Sequence, residues 1–262
     1  GGTTVSGGTL FGGADSATRT AFGSGAITVG IGAVLRTDRS SLVNDLVLTG
    51  GTLQGTSSWG ESWGGNLTLL AASTVDAGSG MTMNGIVSGS GSLTKTGNGQ
   101  LNLNGINTYS GGTTVSAGTL FGGAGSGSRT AFGSGAITVG SGTMLWTDQS
   151  DLSNALVLAG GTLRGTNRLG EIWSGSISLS ADSTVDAGSY IALSGNMGGT
   201  GRLTKVGNGS LSLSGVNSYS GGTQINAGTL ALGAADALGS SGTIGFGGGA
   251  LQFSASNTTD YS

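Results

Sequence analysis

Apolar positions along this chain come in short bursts. Ala26-Ile27-Thr28-Val29, Leu46-Val47-Leu48 and Leu101-Asn102-Leu103 are typical, each bounded by Gly, Ser or Asn. Within a burst, apolar and polar residues alternate or run together for three or four positions. That is the signature of short β-strands separated by turns. No segment keeps a helical apolar period for ten residues, so the pattern predicts an all-β chain without amphipathic helices.

The bursts repeat on two scales. Residues 1–110 align without a gap on 111–220, with roughly 70 of the 110 positions identical. Gly-Gly-Thr-Thr-Val-Ser at 1–6 returns at 111–116, and as Gly-Gly-Thr-Gln-Ile-Asn at 221–226. The stretch from Thr20 to Gly30 returns unchanged from Thr130 to Gly140. The spacing predicts one β-helix over 1–262, built from tandem units 1–110, 111–220 and a partial third at 221–262. Inside each unit Gly-Thr-Leu recurs at 8–10, 51–53, 118–120, 161–163 and 228–230, in steps of 43, 67, 43 and 67. These steps are near two and three multiples of about 22 residues, the size of one turn of a β-solenoid. The expected fold is a right-handed, single-stranded parallel β-helix of about 12 turns, five to each long repeat. Leu10, Ile27, Val29, Leu53, Leu67, Val75, Leu93, Leu101, Leu103, Val115 and Leu120 are expected to face inward, with Thr, Ser and Asn outward.

Composition fits this reading. Of 262 residues 58 are Gly and none is Pro, Cys or His. Glycine supplies corner conformations without steric cost. Proline would remove a donor from every stacked strand. With 35% hydrophobic and 8% charged residues, the chain is too apolar and too weakly charged for plain disorder. A collagen helix would need Pro and a strict period of three.

The segment from Leu93 to Leu120, which opens Leu-Thr-Lys, runs through Tyr109-Ser110-Gly111-Gly112 and closes on Gly118-Thr119-Leu120, resembles the autotransporter-associated β-strand repeat. Leu203 to Leu230 resembles it again, and residues 1–10 are similar to its tail. The resemblance implies a passenger β-helix of a type V secretion system, carried to the cell surface by a β-barrel elsewhere in the parent chain. Residue 1 falls inside a repeat, so the chain reads as an excised piece whose targeting signals lie outside it. No apolar run approaches the roughly 20 residues of a membrane helix, so this region is expected outside the bilayer.

Little in the sequence points to catalysis. Without His or Cys, Ser-His-Asp and Cys-His arrangements and the common zinc sites are impossible. No phosphate-binding loop is present, so no cofactor is expected. Net charge is −3 and the basic residues never cluster, which argues against nucleic acid as a partner. Calcium binding of the nonapeptide type is only faintly echoed at Gly12-Gly13-Ala14-Asp15, and ice binding would need regular Thr-x-Thr rows that are not seen. Asp15, Asp38, Asp45, Glu61 and Asp76 are scattered over different turns, whereas glycoside hydrolysis needs two carboxylates at a set separation. Glu61 recurs as Glu171 and Asp76 as Asp186, which suits repeated corner roles, and Asp76 is expected to bond its own turn. Tyr109 and Tyr219 are expected to serve as corner scaffold.

The candidate binding surface is aromatic: Trp59, Trp63, Trp146 and Trp173, against the plainer reading that they cap a loop. The expected function is adhesion to a cell-surface ligand or self-association. The alternatives are an inert stalk that projects another domain, and a carbohydrate-active enzyme. A cut solenoid also exposes unpaired strand edges, so end-to-end stacking is expected.

Overall fold

A computed structural model describes residues 1–262 except 13–21, 39–40, 57–59, 124–130, 150, 167–169, 258 and 260–262. Every described element is a strand, two to five residues long, and every pairing is parallel. The chain forms a parallel β-solenoid of about 11 turns, close to the twelve expected. It divides into two compact units, Gly1–Gly135 and Ala136–Ser262.

In the first unit, successive turns stack strand on strand along three columns. The first holds Thr3–Val5, Ile27–Val29, Leu46–Leu48, Leu67–Leu69 and Val87–Ser88. The second holds Thr9–Gly12, Val34–Thr37, Thr52–Gly55, Ser73–Ala77, Leu93–Thr96 and Thr113–Val115. The third begins with Glu61–Trp63 and continues through Gly80–Met83, Gln100–Leu103 and Thr119–Gly122. Because side chains alternate across a strand, each column has an inward and an outward row. Ile27, Leu46, Leu67 and Val87 form one inward row, with Val29, Leu48 and Leu69 beside it, all buried. Full burial of each such side chain contributes roughly 1.5–3 kcal/mol. The second unit repeats the plan, for example Leu145, Leu163 and Val185 on one inward row. Of the expected core residues, Leu10 alone is only half-buried, because its strand pairs on one edge only.

The long repeat does not close on a whole number of turns. The five stacking steps from Thr9 to Thr114 cover 105 residues, 21 per turn. Thr113–Val115 is the repeat equivalent of Thr3–Val5, yet it stacks in the second column, under Leu93–Thr96, while Thr3–Val5 heads the first. One repeat therefore advances five turns and one further face. The expected five turns per repeat are present, with turns averaging 21 residues here, and 110 residues run on by one further side. The second unit shows the same step. There Thr223–Ile225 stacks on Leu203–Val206, in the column of Met144–Thr147 and not in that of Ile137–Val139.

Candidate binding surface and buried polar devices

The four candidate tryptophans separate. Trp59 lies outside the described residues. Trp63 and Trp173 are core residues, 1% and 2% exposed. Glu-x-Trp strands place residues of like parity inward, and the indole N–H donates to the carbonyl of Asn44 at 2.6 Å in one unit and of Asn154 at 2.7 Å in the other. Each ring fills its turn's interior and satisfies a backbone acceptor there, so neither offers a surface to a ligand. This corrects the expectation of exposure: a strand of three residues hides its parity, and no longer alternation existed to fix it.

Trp146 is the exception. It is half-exposed on an outward row with Arg164 and Asp186, on successive strands. The Arg164 guanidinium lies 4.9 Å from the indole centroid, its Nε is 3.6 Å from Asp186 Oδ2, and the indole N–H donates to Thr166 Oγ1 at 2.8 Å. The matching row of the first unit runs Phe11, Arg36, Gln54, Asp76. Arg36 lies 5.6 Å over the Phe11 ring, and the Gln54 amide donates to Asp76 Oδ2 at 3.0 Å. Asp76 and Asp186 thus stand outward in mid-strand and pair across strands, not with their own turns as expected. Cation over ring and cation beside carboxylate are each favourable at a partly exposed surface.

Several other outward rows are largely uncharged and polar, although Asp151 and Ile172 share one and Phe121 stands beside Asn102 on another. Thr4, Thr28, Thr68 and Ser88 share a row interrupted by Val47. Asn102 donates to Thr82, Asn84 to Ser62 and Asn104 to Asn84, each near 3.0 Å. In the second unit Thr162, Thr184, Thr204 and Gln224 form a row.

Glu61 and Glu171 point inward and are buried. Glu61 accepts from the Thr56 amide at 2.6 Å and from Thr37 Oγ1 at 3.2 Å; Glu171 accepts from the Thr166 amide at 2.9 Å. Each carboxylate anchors the start of the loop that precedes its own strand. A shallow hollow of about 340 Å³ over Gly60, Ser62, Gly80, Thr82, Gln100 and Asn102 is lined by one carboxylate, that of Glu61. A second, of about 550 Å³, also has one, Asp236. Among the described residues no three His, Cys, Asp or Glu side chains gather as metal ligands.

A third set of polar groups was not singled out from the sequence. Lys95 and Lys205 stand on inward rows, between Val75 and Val115 and between Val185 and Ile225, and are 0% exposed. The Lys95 ammonium donates to the carbonyls of Thr96, Gly97 and Ala117 at 2.8, 2.6 and 3.0 Å. Lys205 repeats this on Val206, Gly207 and Ala227 at 2.7, 2.7 and 3.1 Å. Three donors meet three acceptors, as an ammonium requires. Desolvation lowers the Lys95 pKa from 10.5 to about 8, opposed by the nearby Asp76 carboxylate; Lys205 is lowered for the same reason, opposed by Asp186. The available signal was parity: Leu93 and Lys95 share a strand face, as do Leu203 and Lys205.

Two further devices accompany each lysine. Asn107 accepts from the Val87 amide at 2.7 Å and donates to the Ala131 carbonyl at 2.6 Å, joining the turns on either side. Tyr109 is buried with its hydroxyl 2.6 Å from Thr113 Oγ1, and burial holds its pKa well above the ordinary value. Asn217 and the Tyr219–Thr223 pair repeat both arrangements. The tyrosines are thus scaffold, as expected.

Stacked short parallel strands with inward polar clamps define a solenoid repeat protein. The family model described as Passenger-associated-transport-repeat matches residues 93–120 and 203–232, and these segments are autotransporter passenger repeats. Both matches span a lysine cage, an asparagine clamp and a buried tyrosine. No curated protein and no solved structure matches the chain.

Proposed function

We propose that this chain is a surface-displayed or secreted autotransporter passenger module of a Gram-negative bacterium, whose role is adhesion or self-association without a catalytic step. The observation that carries the reading is the division of labour between faces. The lysine cages, asparagine clamps and buried tyrosines of the matched segments turn inward, while several outward rows are ladders of Thr, Ser and Asn repeated at strand spacing. Such rows make many weak equivalent contacts, which add through avidity. The Trp146–Arg164–Asp186 row is the distinctive patch on that surface. A carbohydrate-active enzyme finds less support, since each of the two hollows has a single carboxylate.

The inert-stalk reading has one observation in its favour: Trp63 and Trp173, the large aromatics a binder could have used, are spent in the core. One experiment decides between them. Cell clumping and surface adhesion are measured with the parent protein displayed intact, with residues 111–220 removed, and with that stretch replaced by an unrelated solenoid of equal length. Adhesion lost in both altered proteins supports a binding module. Adhesion restored by the length-matched replacement supports a stalk and overturns the proposal.

A further inference from the structure

Alternation protects a β-solenoid against a one-residue slip between turns, because that slip turns every inward residue outward. It gives no protection against a two-residue slip, which preserves parity. This chain is exposed to that error. Its strands have two to five residues, and its inward rows use Leu, Val and Ile interchangeably: Leu35, Leu53, Val75 and Val115 share one row. Parity alone marks this register weakly, since a two-residue slip sets Thr113 or Ala117, both of the same parity, in the place of Val115.

We propose that Lys95 and Lys205 are register keys, fixing the alignment of each passenger repeat with the turn that follows it. Two acceptors of the Lys95 ammonium, the Thr96 and Gly97 carbonyls, belong to its own turn and move with it. The third, the Ala117 carbonyl, belongs to the next turn, 22 residues on. Lys205 stands in the same relation to Val206, Gly207 and Ala227. A two-residue slip moves the next turn by about 6.6 Å along the strand. The third acceptor is then out of reach, and a buried ammonium keeps an unsatisfied donor, which is costly. The corner itself admits the correct register closely: a Cβ on Gly118, at φ +65°, would lie 2.5–2.7 Å from the carbonyl oxygens of Gly97, Asn98 and Gly99. A buried charge is a poor source of net stability and a good discriminator between alternatives that differ in its partners.

The absence of Cys makes a direct test possible. Thr94 and Thr114 are register partners on the outward row, while Thr94 and Ser116 are two residues out of register. Partners one strand apart can form a disulfide, whereas Cα atoms about 8 Å apart cannot. The pairs Thr94→Cys/Thr114→Cys and Thr94→Cys/Ser116→Cys are built into the full 262-residue chain, with Lys95 intact and with Lys95→Met. Each protein is refolded from denaturant under mild oxidation, and intramolecular cross-links are quantified. With Lys95 present the in-register pair closes and the offset pair does not. With Lys95→Met the offset pair closes, and the ratio of in-register to offset product falls by about tenfold or more, as expected for one charge-assisted hydrogen bond. A Lys95→Met protein that folds with only the in-register product overturns the proposal. So does one that loses its β-structure without any offset product, since the lysine would then be required for stability and not for alignment. Thr204→Cys/Gln224→Cys around the unaltered Lys205 is the internal control for folding.

Discussion

At the residue scale, this chain puts Lys95, Lys205, Glu61 and Glu171 where pattern alone would place hydrocarbon. The buried lysines make stability depend on pH in a definite direction. Lys95 titrates near 8 when folded and near 10.5 when unfolded, so between those values the unfolded chain holds more protons. Stability therefore rises as pH rises from about 8, by up to roughly 3 kcal/mol for this group. Tyr109 acts oppositely: its raised pKa means the unfolded chain loses that proton first, so stability falls once pH passes about 10. Urea denaturation midpoints between pH 7 and 11 should pass through a maximum, and Lys95→Met should flatten the rising limb. A monotonic decline above pH 7 would contradict this. The tryptophans provide a second residue-scale contrast. Trp63→Ala empties a core site and is expected to cost about 3–5 kcal/mol in denaturant titrations. Trp146→Ala, on the surface, loses the Arg164 contact and the Thr166 hydrogen bond and should cost about 1–2 kcal/mol, less than Trp63→Ala, while reducing adhesion if the patch binds.

At the element scale, each strand is too short to be stable alone and is held by its neighbours above and below. What fixes a turn is therefore its corners. Gly118 and Gly228 adopt positive φ of 65° and 64°, with neighbouring carbonyl oxygens in the space of a Cβ. Gly118→Ala should cost more than the roughly 1–2 kcal/mol of placing an L side chain at a left-handed φ, because a backbone clash adds. Tyr109→Phe removes only the bond to Thr113 and should cost about 1–2 kcal/mol. Both can be read from thermal or urea unfolding. Ile27–Val29, Leu46–Leu48 and Gln100–Leu103 are strands where the apolar bursts placed them. The parity of Glu61–Trp63 was not legible, because three residues with a polar centre fit either orientation.

At the scale of the whole molecule, the repeat and the turn are incommensurate. A chain lengthened by one copy of the 110-residue unit gains five turns and one further face. Removal of residues 111–220 should leave the join intact, because Gln224 then takes the place of Thr114 against Thr94. A Thr94→Cys/Gln224→Cys pair should cross-link in the shortened chain. Failure to do so, with the fold retained, would show that the third copy cannot substitute for the second.

The sequence by itself determined the class: the short alternating bursts, the 110-residue tandem and the Gly-rich, Pro-free composition admit little but a parallel solenoid, and the Leu93–Leu120 and Leu203–Leu230 segments carry the family likeness. Only the tertiary structure decided which way the ambiguous positions face and how the turns divide the repeat. The reason is physical. Periodicity records alternation within a strand, but the number of residues spent in each corner is set by which backbone meets which in the turn above. Inside that stack, Lys95, Glu61 and Trp63 find the carbonyls, amides and hydroxyls that make their burial tolerable.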